Sequence, residues 1–271
     1  MIRIVAGVEY DGSSFSGWQL QSAAPSVQQA LEAALSRIAD QPVRVVAAGR
    51  TDTGVHARCL VIHFDTEVER RPRAWLLGAN THLPPGIALR WVREMPGHFH
   101  ARYSALSRTY RYVILSRPTR PALADSRVTF TFRPLTLAPM QAAAVQLLGT
   151  HDFSAFRAAE CQAISPVRRM EAIEVVQNGD FFVAEITANA FLHHMVRNIM
   201  GLLMAVGQGK LPPGRAGELL ALRDRKLAPP TAAASGLYLW RVRYPSVFEL
   251  PDDSAIMLAP AGCPADLMGR D

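Results

Sequence analysis

The segment VRVVAAGRTDTGVHARCLVIHF (43–64) places a polar loop between two apolar stretches. Val43–Ala48 and Cys59–Phe64 are short and rich in β-branched residues, so each is expected to be a strand. The loop between them, Gly49–Ala57, carries an acid (Asp52), a base (Arg50) and two hydroxyls (Thr51, Thr53). Two flanking strands can hold a reactive group rigidly, which makes Asp52 a candidate site residue. A plain turn, with Asp52 bonded to its own backbone, accounts for the same composition. The glycine spacing is not that of a phosphate loop, and a central acid would repel phosphate.

Outward from this segment, strands and helices mix in both halves. Ile2 to Val8 alternate as a strand, and Asp11–Ser16 is a Gly/Ser-rich loop. Ser26 and Gln29 form a capping-box pattern ahead of the apolar stripe Val27, Leu31, Leu35, Ile38, so a helix is expected there. A short helix is expected over Pro72–Ala79, with strands over Ile87–Val92 and Thr109–Leu115. The second half reads as a strand over Val128–Phe132, a helix over Pro139–Leu148, and strands over Met170–Val176 and Phe182–Thr187. Asn178-Gly179 between the last two signals a hairpin. A long helix is expected from Phe191 and a final strand over Leu237–Val242. Hairpins together with crossovers indicate an α+β or mixed-sheet architecture over a doubly wound parallel one. The expected division is 1–105, 106–246 and a mobile tail, 247–271, where the pattern dissolves into Pro, Asp and small residues.

The 271 residues carry a formal charge of +6, and residues 247–271 carry −4 of it, leaving about +10 on the remainder. A basic body points to a polyanionic partner, nucleic acid first. Most of the excess is arginine, which forks onto phosphate and stacks on bases; biased codon usage would produce the same excess. Hydrophobic residues make up 49%, enough for a sizeable core and too many for a disordered chain. Cys59, Cys161 and Cys263 are far apart with no CxxC pair, which fits a reducing, cytoplasmic setting. No signal peptide and no membrane-spanning stretch are legible.

Three further segments could carry chemistry. In SRTYRY (107–112), period two puts Arg108, Tyr110 and Tyr112 on one strand face, a platform for unpaired bases or an ordinary half-buried strand. In NAFLHHMVRN (189–198), His193 and His194 would point in different directions on a helix and make poor metal partners. Arg197 there lies in an apolar helix, where a buried arginine needs a partner such as the Asp52 carboxylate. YDGSSFSGWQ (10–19) reads alone as a surface turn with room for a stacking role.

Together, YDGSSFSGWQ (10–19), GRTDTGVHA (49–57), FHARYSALSRTYRY (99–112), NAFLHHMVRNIMG (189–201) and SGLYLWRVRY (235–244) resemble the tRNA pseudouridine synthase A family, in family order from about Ile4 to Tyr244. Any one string is weak; five in order are specific. The resemblance implies a pseudouridine-synthase fold: two similar α/β halves around a mixed, largely antiparallel sheet with an active-site cleft. It implies a tRNA partner bound across a homodimer, uridines 38, 39 and 40 of the anticodon stem-loop as substrate, and no cofactor or metal. It puts the catalytic aspartate on Asp52, the base-stacking tyrosine on Tyr110, the active-site arginine on Arg197 and an apolar base contact on Leu237. Arg50 either contacts RNA or orients Asp52, and Arg58, Arg102, Arg108 and Arg111 are candidate phosphate contacts. The chain departs from the family at Thr53, often Ala, and at Ile164-Ser165, often Arg-Thr. Two other classes stay open on the residues alone. One is a non-catalytic RNA-binding protein on the same fold. The other is a metal-dependent phosphohydrolase built on the Asp52 loop, for which the ligand set is sparse.

Overall fold

The computed structural model describes residues 1–251; the remainder of the 247–271 tail, with Cys263, lies outside the described residues. The chain forms a mixed α/β fold whose strands pair mostly antiparallel, in two compact units. The first comprises Met1–Leu106 and, of the described residues, 238–251, and the second runs from Ser107 to Leu237.

In the first unit, β1 (Ile2–Tyr10) lies between β3 (His56–Thr66) and β4 (Ile87–Met95), antiparallel to both. All but one of the β3 residues are buried, with no alternation of exposure, as in a strand covered on both faces. The expected strand Val43–Ala48 contributes only Val46–Ala47 (β2) to the ladder, opposite His63 and Ile62. Helix α1 (Val27–Ala39) starts where Ser26 caps it, Oγ accepting the Gln29 N–H at 3.2 Å, and it buries Val27, Leu31 and Leu35 completely. Helix α2 (Pro72–His82) opens on a proline and seats Trp75 edge-on against Phe64, centroids 5.1 Å apart.

Strand β10 (Leu237–Arg243) pairs parallel with β3, Tyr238 opposite His56 and Leu239 opposite Ala57. Residues 238–246, assigned from the sequence to the second half, therefore run in the first unit. The chain then continues through Phe248, which packs edge-on against Phe99 at 5.0 Å, while the Glu249 carbonyl accepts from Arg93. The start of the expected mobile tail is thus held by the first unit's aromatic cluster.

In the second unit, β5 (Ser107–Ser116), β9 (Phe181–Ala188), β8 (Val167–Asn178) and β7 (Gly149–Asp152) follow one another antiparallel, and β6 (Thr129–Thr131) adds parallel to β5. The β8–β9 hairpin turns through Gly179-Asp180, one residue beyond the expected Asn178-Gly179. Gly179 sits at φ +54° between the paired Asn178 and Phe181, the residue a two-residue turn opening with positive φ selects. Helix α3 (Leu137–Val145) packs on β8 and on α4 (Met195–Gly207), and α5 (Arg215–Leu222) packs on α3.

Helix α4 begins four residues later than the apolar pattern from Phe191 suggests. His194 adopts φ +61° at its N-cap, outside the helical region. His193 and His194 are therefore turn residues with rings 4.1 Å apart, which corrects the expectation that a helix points them in different directions. No helix among the described residues is long and apolar enough to cross a membrane.

Candidate active site

Asp52 sits on the loop between β2 and β3, half-buried, with Thr51 buried before it and Thr53 exposed after it. A turn does form, in which the Asp52 carbonyl accepts the Val55 N–H at 3.1 Å and Gly54 takes φ +77°. The loop is also locked from outside, by the 10–19 segment. The Tyr10 hydroxyl and Thr51 Oγ1 are 2.7 Å apart, and the Trp18 N–H donates to the Thr51 carbonyl at 3.0 Å. Gly17, at φ +87°, brings its backbone so close that a Cβ there would lie 2.7 Å from the Thr51 oxygen and 3.1 Å from the Asp52 carbonyl carbon. The backbone of Gly12 packs still more closely on the Val55 carbonyl.

The 10–19 segment is therefore a buttress for the Asp52 loop. Tyr10 and Trp18 are each only 3% exposed, which rules them out as the surface stacking groups suggested by the sequence. Its far end is tied to α1, whose Val27 and Gln28 N–H groups donate to the Gly17 and Trp18 carbonyls. These are N-terminal donors that the helix itself cannot satisfy.

Behind the loop, buried His56 accepts the Gly12 N–H on Nδ1 at 3.1 Å, and the same atom lies 3.2 Å from the Asp11 carboxylate. Its ring stacks on Tyr238 at 4.6 Å, so β10 braces the end of the loop. Sequence reasoning missed His56 and Tyr238. The available signal was His56 immediately before an apolar strand, a place where a buried histidine needs hydrogen-bond partners.

The remaining first-unit candidates separate clearly. Arg50 is exposed on the loop. Arg58 is 4% exposed, its guanidinium lying 4.6 Å over the Trp240 ring, so it is a packed cation within the fold. Arg102 is exposed, 5.6 Å over the Tyr103 ring, and Tyr103 is itself 76% exposed. A basic and an aromatic group thus share one surface.

In the second unit, the expected face of β5 divides. Tyr112 is fully buried; its hydroxyl donates to the Ala233 carbonyl at 2.8 Å and so accepts from Thr129 Oγ1 at 2.6 Å. Burial pushes its phenol well above the ordinary tyrosine range, against the Thr129 bond and the nearby Arg197 charge, so it stays neutral. Tyr112 is a core residue and no part of a stacking platform. Tyr110 is half-buried opposite Ile186, its ring edge-on to Phe191 at 5.0 Å. Arg108 donates to the Asn189 carbonyl at 3.1 Å, and Arg111 is paired with Glu185 at 2.6 Å across the β5–β9 ladder.

Arg197, on the first turn of α4, is half-buried. Its Nε donates to the Ala232 carbonyl at 2.9 Å, and its own carbonyl accepts the Ala232 N–H at 3.1 Å. Leu237, 5% exposed, follows directly from that strap, its N–H donating to the Ala234 carbonyl. Within this unit Arg197 and the chain leading to Leu237 are thus coupled through one segment, 228–234.

Comparison with known proteins identifies the family. The family model described as tRNA pseudouridine synthase matches residues 6–104 and 143–245, reaching into both units. The tRNA pseudouridine synthase A of Methylococcus capsulatus (strain Bath) is 54% identical over 260 residues, covering 96% of this chain and 96% of that protein. The proteins of the same name from Pseudomonas aeruginosa (strain PAO1) and Nitrosococcus oceani are 53% and 52% identical, each over 92% of this chain and over 88% and 96% of their own lengths. Similarity at this level, over 92–96% of this chain and 88–96% of the relatives, with a family match that includes residues of both units, is shared descent: the chain is a member of the tRNA pseudouridine synthase family.

Proposed function

We propose that the chain isomerises uridine to pseudouridine in tRNA, at positions 38, 39 and 40 of the anticodon stem-loop, with Asp52 as its catalytic carboxylate. The observation that carries this is the Asp52 loop, clamped by Tyr10, Gly17 and Trp18, in a chain about half identical to proteins named tRNA pseudouridine synthase A. The reaction breaks the N1–C1′ bond, turns the uracil and forms C5–C1′. N1 gains a proton and C5 loses one, so atoms and charge balance without an oxidant or a cofactor. An ionised carboxylate serves as nucleophile or as base. It must be held still, because water would otherwise capture the detached base or sugar.

The target uracil leaves its stack at a cost of a few kcal/mol. Tyr110 recovers about 1–3 kcal/mol by stacking on it. Leu237 supplies an apolar contact to the base, Arg197 is the active-site arginine, and Arg50 orients Asp52 or contacts RNA. Among the phosphate candidates, Arg102 is favoured because it is exposed, over Arg58, which is buried on Trp240, and Arg111, whose charge is matched by Glu185; Arg108 is the further candidate. A homodimer working in the cytoplasm completes the proposal.

The test is tritium release from tRNA labelled at uracil C5, with wild type and Asp52→Ala, no metal added. The C5 hydrogen is lost only if the base rejoins through C5. Release by wild type alone is the expected result. No release by wild type on several unmodified tRNAs, with binding intact, overturns the proposal and leaves an RNA-binding protein.

A further inference from the structure

The strap Ala228–Ala234 is held to α4 by a polar cluster of which only Asn198 falls within a sequence motif. Asn198 is 1% exposed and sits one residue beyond Arg197. Its Nδ2 donates to the Phe156 carbonyl at 2.7 Å, which orients its Oδ1 toward the strap. There Oδ1 accepts from Thr231 Oγ1 at 2.7 Å and from Arg225 Nη2 at 3.1 Å. Arg225 Nη2 also donates to Thr231 Oγ1 at 3.0 Å, and its Nη1 donates to the Ala228 and Pro229 carbonyls. The three side chains thus satisfy one another in a closed triangle, with the hydroxyl of Thr231 as both donor and acceptor.

Thr231 immediately precedes Ala232, whose N–H and C=O both bond Arg197. Gly201, one turn further along α4, has no room for a Cβ because the Pro230 carbonyl occupies that place. Past Ala232, the Ala233 carbonyl takes the Tyr112 hydroxyl, and the chain runs on to Leu237. The strap is therefore fixed on both sides of the one carbonyl that receives Arg197 Nε. A guanidinium is planar and rigid, so holding its Nε on the Ala232 carbonyl fixes the plane and direction in which the two terminal nitrogens are presented.

We propose that Thr231, locked by Asn198 and Arg225, is a positioning residue for the isomerisation: it sets the Ala232 carbonyl and through it the direction of the Arg197 guanidinium. This rests on the role given to Arg197 above. Loss of the hydroxyl leaves Asn198 Oδ1 and Arg225 Nη2 each short of a partner and frees the strap to shift on α4. Misplacement of a charged group by a fraction of an ångström is enough to slow the chemical step while leaving the tRNA contacts intact.

The test is a double-mutant cycle in single-turnover tritium release from C5-labelled tRNA, with tRNA affinity and thermal unfolding measured alongside. Thr231→Val, nearly isosteric, is expected to lower the rate roughly tenfold with affinity unchanged within about twofold. Thr231→Ser, which keeps the hydroxyl, is expected to restore it. In an Arg197→Lys background, already slow, Thr231→Val is expected to have no further effect, because the group it aims is gone. A merely structural Thr231 would lower the rate by the same factor in both backgrounds, and that result overturns the inference; so does an unchanged rate in folded Thr231→Val. If Thr231→Val does not fold, Thr231→Ala in the same cycle gives the same decision. The outcomes of the two proposals stay distinct: an inactive wild type defeats the proposed reaction, and a fully active Arg197→Lys defeats the role of Arg197. An active wild type, a slow Arg197→Lys and additive effects defeat only the positioning role.

Discussion

Replacing Gly17 by alanine probes whether the 10–19 segment holds the Asp52 loop in its working geometry. Gly17 has φ +87°, where an L-residue costs about 1–2 kcal/mol. The added Cβ would lie 2.7 Å from the Thr51 carbonyl oxygen, whereas ordinary contact begins at 3.4 Å, so the two backbones must part by about 0.7 Å. Neither partner can give way freely: the same Thr51 oxygen accepts from Trp18, and the Gly17 carbonyl accepts from Val27 at the start of α1. The displacement therefore passes into Thr51 and Asp52, adjacent residues on one loop. A misplacement of about 1 Å can cost about a hundredfold in rate, so a loss of tenfold to a hundredfold is expected, with the folded state weakened by about 1–3 kcal/mol. The assay is single-turnover tritium release at saturating enzyme, with filter binding of tRNA and a urea unfolding curve. Gly49→Ala is the stability control, since nothing lies within 4 Å of a Cβ there and its φ is not positive. Gly17→Ala with the rate and unfolding midpoint of the wild type would refute the buttress argument.

Further expectations concern stability, pH and salt. Burial, then the Arg3 and His100 charges, lower His63 to about 4 in the fold, against about 6.5 in an unfolded chain. The unfolded state thus binds the extra proton first, so stability is lost as pH falls from 6.5 to 4, by about 3 kcal/mol from this group. Urea midpoints at pH 7 and pH 4.5 for wild type and His63→Asn check this, and an equal pH slope in both would sink it. The Arg3 bond holds Asp65 below its ordinary value and contributes in the same sense at lower pH, its stability lost as pH falls through that depressed value. Gly201→Ala should destabilise by about 1–3 kcal/mol even though Gly→Ala within a helix ordinarily gains about 1 kcal/mol, because its Cβ meets the Pro230 carbonyl; a raised melting temperature would contradict this. Arg102→Ala should reduce the slope of log affinity for tRNA against log salt by about 1, whereas Arg111→Ala, whose partner is Glu185, should leave it unchanged. The reverse order would disprove the assignment of phosphate contacts.

Periodicity and turn chemistry determined much of this fold from the chain alone. The Ser26 cap, the α1 stripe, the proline opening of α2 and the loop between two apolar strands are local signals, each read within a few residues, and each appears at or near its expected place. The candidate residues are legible for the same local reason: Asp52 lies in a polar loop between apolar strands, Tyr110 on an aromatic, basic strand and Arg197 in an apolar helix. What local signals could not supply was contact between distant segments. That Gly17 serves to approach Thr51 and Gly12 to approach Val55, that Tyr112 is core where Tyr110 is not, and that β10 returns to β3 depend on contacts between segments distant in the chain or on which face is covered. The start of α4 was misjudged because His194 in the left-handed region interrupts a stretch whose composition is helical throughout. The strap 228–234, made of alanine, proline and threonine, carries no pattern in sequence at all. Its meaning comes only from the hydrogen bonds that tertiary packing closes around Asn198, Thr231 and Arg197, where a buried polar group must find its partner wherever in the chain that partner lies.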